Sequence, residues 1–123
     1  EVVERMVARP GSKSFGRLSV MLQWRYTIES VLDVPSEAFV PQPRVDSAVV
    51  RMRPLAALPD VDPLLLGELV AVAFSQRRKT LRNAVSALCT AETLEAAGID
   101  PGARGETLAV ADFVRLANRV ASA

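Results

Sequence analysis

Thr27-Ile28-Glu29-Ser30-Val31-Leu32-Asp33-Val34 is dense in β-branched side chains and stops at Pro35, the pattern of a strand with a proline terminator. Residues 35–44 hold three prolines and exclude regular structure. A second strand is read over residues 45–52, where Ala48, Val49 and Val50 form an unbroken apolar run. Such a run implies burial on both faces and a central place in a sheet. Upstream, Val3, Met6 and Val7 mark an amphipathic start that Arg9-Pro10-Gly11-Ser12 closes. Gly16-Arg17 then opens an apolar stretch over residues 18–26, read as a short helix. The fold class is therefore α+β: two helices and an antiparallel strand pair over residues 1–53, a Pro-Leu-Ala-Ala-Leu-Pro linker within 54–61, and a small all-helical unit over 62–123.

The helical half has clear punctuation. Asp62-Pro63 supplies an N-cap with proline at the first helical position. Leu64, Leu65, Leu66, Leu69, Val70, Val72 and Phe74 follow, apolar nearly all round, as a central helix requires. Thr90 can cap a short helix that ends at Gly98, with Leu94 and Ile99 placed for the hydrophobic contact of a C-cap motif. Asp100-Pro101-Gly102 turns the chain, and residues 109–121 close it, with Val110, Phe113, Val114 and Ala117 at helical spacing.

With 123 residues, 50% of them hydrophobic and 24% charged, the chain is long and apolar enough to bury a real core. Its single cysteine excludes a disulfide framework, and the lack of histidine argues against an all-protein zinc or copper site. The same lack removes histidine general acid–base chemistry and every histidine-activated nucleophile. Cys89 reads as a small hydrophobe, Trp24 and Tyr26 as packing residues. Gly11 and Gly16 flank Ser12 and Ser14 without the spacing of a phosphate-cradling loop. No apolar run approaches the roughly 20 residues that cross a bilayer, so no membrane partner is expected. The first residue is Glu, and the chain is read as a possible fragment.

A net charge of +1 announces no nucleic-acid partner, but Arg77, Arg78, Lys79 and Arg82 fall within six positions without an acid among them. If residues 75–88 form one helix, Phe74, Leu81, Val85 and Leu88 share a stripe. Arg78, Lys79 and Arg82 then share one flank, Gln76 and Asn83 lie further round, and Arg77 takes the opposite shoulder. Cations anchored this way suit a phosphate clamp, because releasing counterions favours such contacts; on spacing alone a solvated face or ion pairs with distant acids is the stronger reading. Pro41 and Pro43 stiffen the approach to the second strand and hold Phe39 at its mouth, where it can pack under a loop or offer a base a stacking face. Asp46 and Ser47 fit hydrogen bonding at a strand end.

Phe39, Pro41, Pro43 and Val45-Asp46-Ser47-Ala48-Val49-Val50, followed by Ala73-Phe74 and Gln76-Arg77-Arg78-Lys79-Thr80-Leu81-Arg82-Asn83, closely resemble the motifs of the rRNA adenine dimethyltransferase family. Glu1-Val2-Val3, Gly16-Arg17-Leu18-Ser19-Val20 and Gly98-Ile99-Asp100-Pro101 agree with it too, so the resemblance runs along essentially the whole chain. Ala109 departs from it, where relatives often carry a Ser or Thr suited to capping the last helix. The resemblance implies a Rossmann-like methyltransferase sheet domain that uses S-adenosylmethionine, followed by a small helical domain. Residues 1–53 would be the tail of the first and residues 62–123 the second, an rRNA-binding domain.

By that resemblance Phe39 stacks on the extruded target adenine, and Arg77, Arg78, Lys79, Arg82 and Asn83 contact RNA. The family's Gly-rich cofactor loop and its Asn-Leu-Pro-Tyr-type motif have no counterpart here, so this carboxy-terminal portion is expected to bind rRNA of the immature small ribosomal subunit without holding S-adenosylmethionine or catalysing. The setting implied is cytoplasmic. The strand pair, cut from its sheet, is expected either to pack against the helical half or to meet a partner, with a dimer through exposed strands as one form. Two other readings are a free-standing module that lays residues 75–88 in a DNA groove and an inert product of proteolysis.

Overall fold

The computed structural model describes residues 2–34, 47–75 and 79–122. Its elements are α1 (Val2–Val7), α2 (Arg17–Gln23), β1 (Tyr26–Val34), β2 (Ser47–Pro54), α3 (Pro63–Ser75), α4 (Leu81–Ala84), α5 (Ala91–Ala96), a 3-10 turn (Gly105–Thr107) and α6 (Val110–Ser122). The expected prolines and Phe39 between β1 and β2 lie outside the described residues.

β1 and β2 pair antiparallel, with Ile28 opposite Met52 and Glu29 opposite Arg51. The register shifts between Ser30 and Leu32, so Val31 is the extra residue of a bulge and stands 51% exposed. Val49 and Met52 are exposed as well, at 49% and 39%. This corrects the expectation of a strand buried on both faces. β1 packs against α1 and α2, while α3 turns its apolar sides toward α2, α4 and α6. An apolar run reports what a strand can bury; on β2 Val50 is half-buried while Val49 stays exposed.

Local signals place the helical elements well. The Asp62 carboxylate accepts the Leu64 N–H at 3.0 Å, capping α3 as its sequence announces. Thr90 Oγ1 accepts the Thr93 N–H at 3.3 Å to cap α5. At the other end of α5, Gly98 takes φ +78°, its N–H donates to the Glu95 carbonyl (2.9 Å), and the Ile99 N–H donates to the Leu94 carbonyl (3.0 Å). This is the Schellman arrangement, and Leu94 and Ile99 are both buried beside it. The last helix lacks half of its cap. Asp112 Oδ2 accepts the Ala109 N–H at 2.9 Å, but the alanine has no side-chain oxygen to return a bond. Replacing Ala109 with Ser should raise the unfolding free energy by about 1 kcal/mol, read as a higher denaturation midpoint at unchanged m-value; a neutral or negative shift would refute that reading of the cap.

One apolar core joins both halves of the chain. α3 contributes Leu66, Leu69, Val70 and Ala73; α6 contributes Phe113, Val114, Leu116 and Ala117. Phe15, at 0% exposure, packs edge-on to Phe74 (centroids 5.9 Å apart), and Phe74 meets Phe113 at 5.7 Å. The loop that carries Phe15 is anchored twice. Gly11, at φ +86°, donates its N–H to the Glu106 carbonyl at 2.7 Å, and the 3-10 turn holding Glu106 lies so close to α3 that a Cβ on Gly105 would stand 3.0 Å from the Ala73 carbonyl oxygen. At the far end, buried Ser19 donates its hydroxyl to the Arg5 carbonyl and accepts the Gly16 N–H at 3.1 Å. The Gln23 amide donates to the carbonyls of Met6 and Ala8, both at 2.9 Å, and so closes the C-terminal end of α1.

Candidate nucleic-acid interface

The cationic segment is not a single helix. α3 ends at Ser75, and Thr80 adopts an extended backbone (φ −68°, ψ 159°) from which a new helix, α4, starts at Leu81. The expectation of one helix over residues 75–88 is corrected, and with it the recognition helix that a DNA groove would need. The physical cause is competition for backbone donors. The Leu81 N–H donates to the Ala103 carbonyl at 2.7 Å and the Arg82 N–H to the Pro101 carbonyl at 3.1 Å, so the turn over residues 100–104 takes the bonds a continuous helix would have made. The apolar spacing survives in part, because Leu81 at the start of α4 and Val85 just past its end still lie one turn apart and are fully buried.

Lys79, Arg82 and Asn83 are all exposed around the start of α4. Arg77, Arg78 and Phe39 lie outside the described residues, as does Gln76, so the site residues gathered here are Lys79, Arg82 and Asn83. Sequence reading missed Arg104. It follows Ala103, the residue whose carbonyl binds the Leu81 N–H, and it is exposed, so the fold sets it beside the base of α4. No local signal marks it; only the backbone bonds between α4 and the turn bring it there. Burial of Cys89 raises its thiol pKa, which keeps the group protonated and unreactive near neutral pH and agrees with a packing role. Among the described residues no group of His, Cys, Asp and Glu could hold a metal ion, and no helix is long and apolar enough to cross a membrane.

What this arrangement can do is hold an anion on a rigid face. Leu81 and Val85 fix α4 in the core, so a phosphate meeting Arg82 does not have to order the helix as well.

Comparison with known proteins gives this surface a context. A family model described as Ribosomal RNA adenine dimethylase matches residues 1–122. The chain is 62% identical over 116 residues to the Ribosomal RNA small subunit methyltransferase A of Leptothrix cholodnii, covering 94% of this chain and 43% of that protein. It is 56% identical over 124 residues to the protein of the same name from Burkholderia cenocepacia, covering 99% and 45%. The chain thus spans less than half the length of these curated relatives. Among solved structures, a dimethyladenosine transferase from Plasmodium falciparum superposes with a TM-score of 0.82 at 23% identity, over 94% of this chain and 52% of that one. The 23S rRNA methyltransferase ErmE does so at 0.67 and 24% identity, over 98% and 51%. At those identities the two structures are similar in fold.

Proposed function

Because this chain belongs to the ribosomal RNA adenine dimethylase family, we propose that it is the substrate-side, carboxy-terminal part of a cytoplasmic enzyme that dimethylates adenines of small-subunit rRNA with S-adenosylmethionine. The observation that carries the reading is a family match over residues 1–122 that takes in both ordered motifs, the one beginning at Phe39 and the one containing Arg77, Arg78, Lys79, Arg82 and Asn83. S-adenosylmethionine, when bound in the intact enzyme, supplies the methyl group. The described residues do not fit it: their two strands are antiparallel, and no strand runs through a Gly-rich turn into a helix as such a cofactor requires.

The residues of this chain serve the RNA. Lys79 and Arg82, joined by Arg77 and Arg78, neutralise backbone phosphates, which sets affinity and register without reading sequence. Phe39 offers the extruded adenine a stacking face; a base held out of its helix exposes the exocyclic amine that must be methylated. A neutral amine needs positioning more than it needs a strong base, which suits a chain without histidine. The division proposed is a methyltransferase tail over 1–53, a linker over 54–61 and an RNA-binding helical domain over 62–123. Among the described residues β1 and β2 form a two-stranded sheet, so each has one edge without a strand partner, and a second copy of the chain pairing at such an edge is the occupant proposed for it in isolation.

The test is binding of this chain to immature small ribosomal subunits across salt, with S-adenosylmethionine titrated in parallel by calorimetry. The expected result is affinity for the particle that falls linearly on a log–log salt plot, and no saturable cofactor binding. Salt-independent or absent particle binding would overturn the RNA role, and stoichiometric cofactor binding would overturn the substrate-side assignment.

A further inference from the structure

A cavity of about 750 Å³ opens where α1, the loop over residues 10–16, α2 and the last turn of α3 meet. Arg5, Lys13 and Arg17 line it from three separate segments together with Glu4, while Leu18 and Phe74 give it an apolar floor. All three cations are exposed, so this is a surface trough. Arg17 has no carboxylate partner among the described residues. The trough is also held in shape. The buried Ser19 hydroxyl ties the Arg5 carbonyl to the Gly16 N–H, so the backbones that carry Arg5 and Arg17 cannot drift apart.

We propose that this trough is a nucleotide subsite for a strand of RNA, with a backbone phosphate among Arg17, Lys13 and Arg5 and the attached sugar or base over Leu18 and Phe74. Cations alone would suit any anion; the apolar floor adds a requirement for a group that is flat or weakly hydrated, and a nucleotide unit joins the two. The volume lies within the ordinary range of small-molecule sites, larger than one phosphate needs. The trough lies within reach of the cations around α4. Phe74 precedes Lys79 by five residues, at most about 18 Å of extended chain, and about five nucleotides of one strand at about 3.4 Å each cover that distance. The inference rests on the RNA-binding reading above and adds a second, separate place of contact.

The experiment follows backbone amides of the isotope-labelled chain by NMR while adding a mixed-sequence RNA hexanucleotide, adenosine monophosphate or inorganic phosphate. The hexanucleotide should shift the amides of residues 13–19. Arg17→Glu with Lys13→Glu should weaken its binding roughly tenfold or more and lower the salt slope by about 0.7 for each cation removed, the single-strand value. Arg17→Gln serves as the milder variant should the reversal disturb folding. Glu4→Gln should tighten binding roughly two- to fivefold, the scale of one exposed charge contact and a change that a folding defect would not mimic. If Lys79→Glu with Arg82→Glu abolishes hexanucleotide binding while the amides of 13–19 never move and Arg17→Gln is neutral, the subsite is refuted and the RNA reading stands. If the hexanucleotide fails to bind anywhere, both fail. Adenosine monophosphate binding with no response to the hexanucleotide would make the trough a free-nucleotide pocket, and inorganic phosphate as tight as the hexanucleotide would make it a plain anion site; either result overturns the proposal.

Discussion

Replacing Phe15 with Ala should lower the unfolding free energy by about 3–5 kcal/mol, a large share of the roughly 5–15 kcal/mol that holds a domain of this kind. Phe15 has no exposed surface and packs edge-on to Phe74, which in turn meets Phe113 on α6. Deleting the ring removes apolar burial and opens a cavity between the first two helices and α3. The backbone there is pinned by the Gly11–Glu106 bond and by Ser19, so the walls have little freedom to close over the gap. Urea denaturation should show a much lower midpoint. Leu64→Ala is the control: Leu64 is 80% exposed and its truncation should stay within about 0.5 kcal/mol. A Phe15→Ala loss under about 1 kcal/mol would mean that the aromatic contact does not join the two halves as described.

The double reversal Lys79→Glu and Arg82→Glu should strip most of the salt-dependent affinity for small-subunit rRNA. Removing one cation from a phosphate should lower the log–log salt slope by roughly 0.7–0.9, and the introduced carboxylates add repulsion. Both side chains are exposed while Leu81 and Val85 hold α4 in the core, so stability should hardly change. Arg119→Glu, a charge reversal on the exposed surface of α6, should leave the slope nearly intact. Equal effects per reversed charge at the two places would show that only net charge matters and that α4 is an ordinary solvated face. If Phe39 stacks on the target adenine as proposed, Phe39→Ala in the intact enzyme should show the complementary signature, with little loss of particle binding and a large loss of turnover.

The elements whose ends are set by local chemistry are legible in the residues alone. Asp62-Pro63 starts α3, Thr90 and Gly98 bound α5, and the β-branched run from Thr27 makes a strand, because each depends on bonds or sterics within a few residues. The family resemblance is legible too, since it rests on the order of residues. The shared core of the two halves is not. Phe15 sits between glycines and serines in a segment with no period, so nothing nearby marks it as buried, and the residues alone suggest two separate units.

Tertiary contacts decided the rest. A helical stripe through Leu81 and Val85 is compatible with one long helix or with two, and spacing cannot choose between them. The carbonyls of Ala103 and Pro101, some twenty residues away, choose by taking the N–H groups of Leu81 and Arg82. The same bonds bring Arg104 to the foot of α4, and the bond from Ser19 to Arg5 draws two distant cations around one trough. Burial of Val49 was undecided for a like reason: its apolar side chain fixes a preference, but only a neighbouring element can satisfy it. Local sequence determined where α3 and α5 begin and end and which residues seek the interior, because capping and hydrophobic spacing act over single turns. Where the cationic helix breaks, which cations share a face and which apolar residues find cover depend on long-range partners, and those the tertiary structure alone supplied.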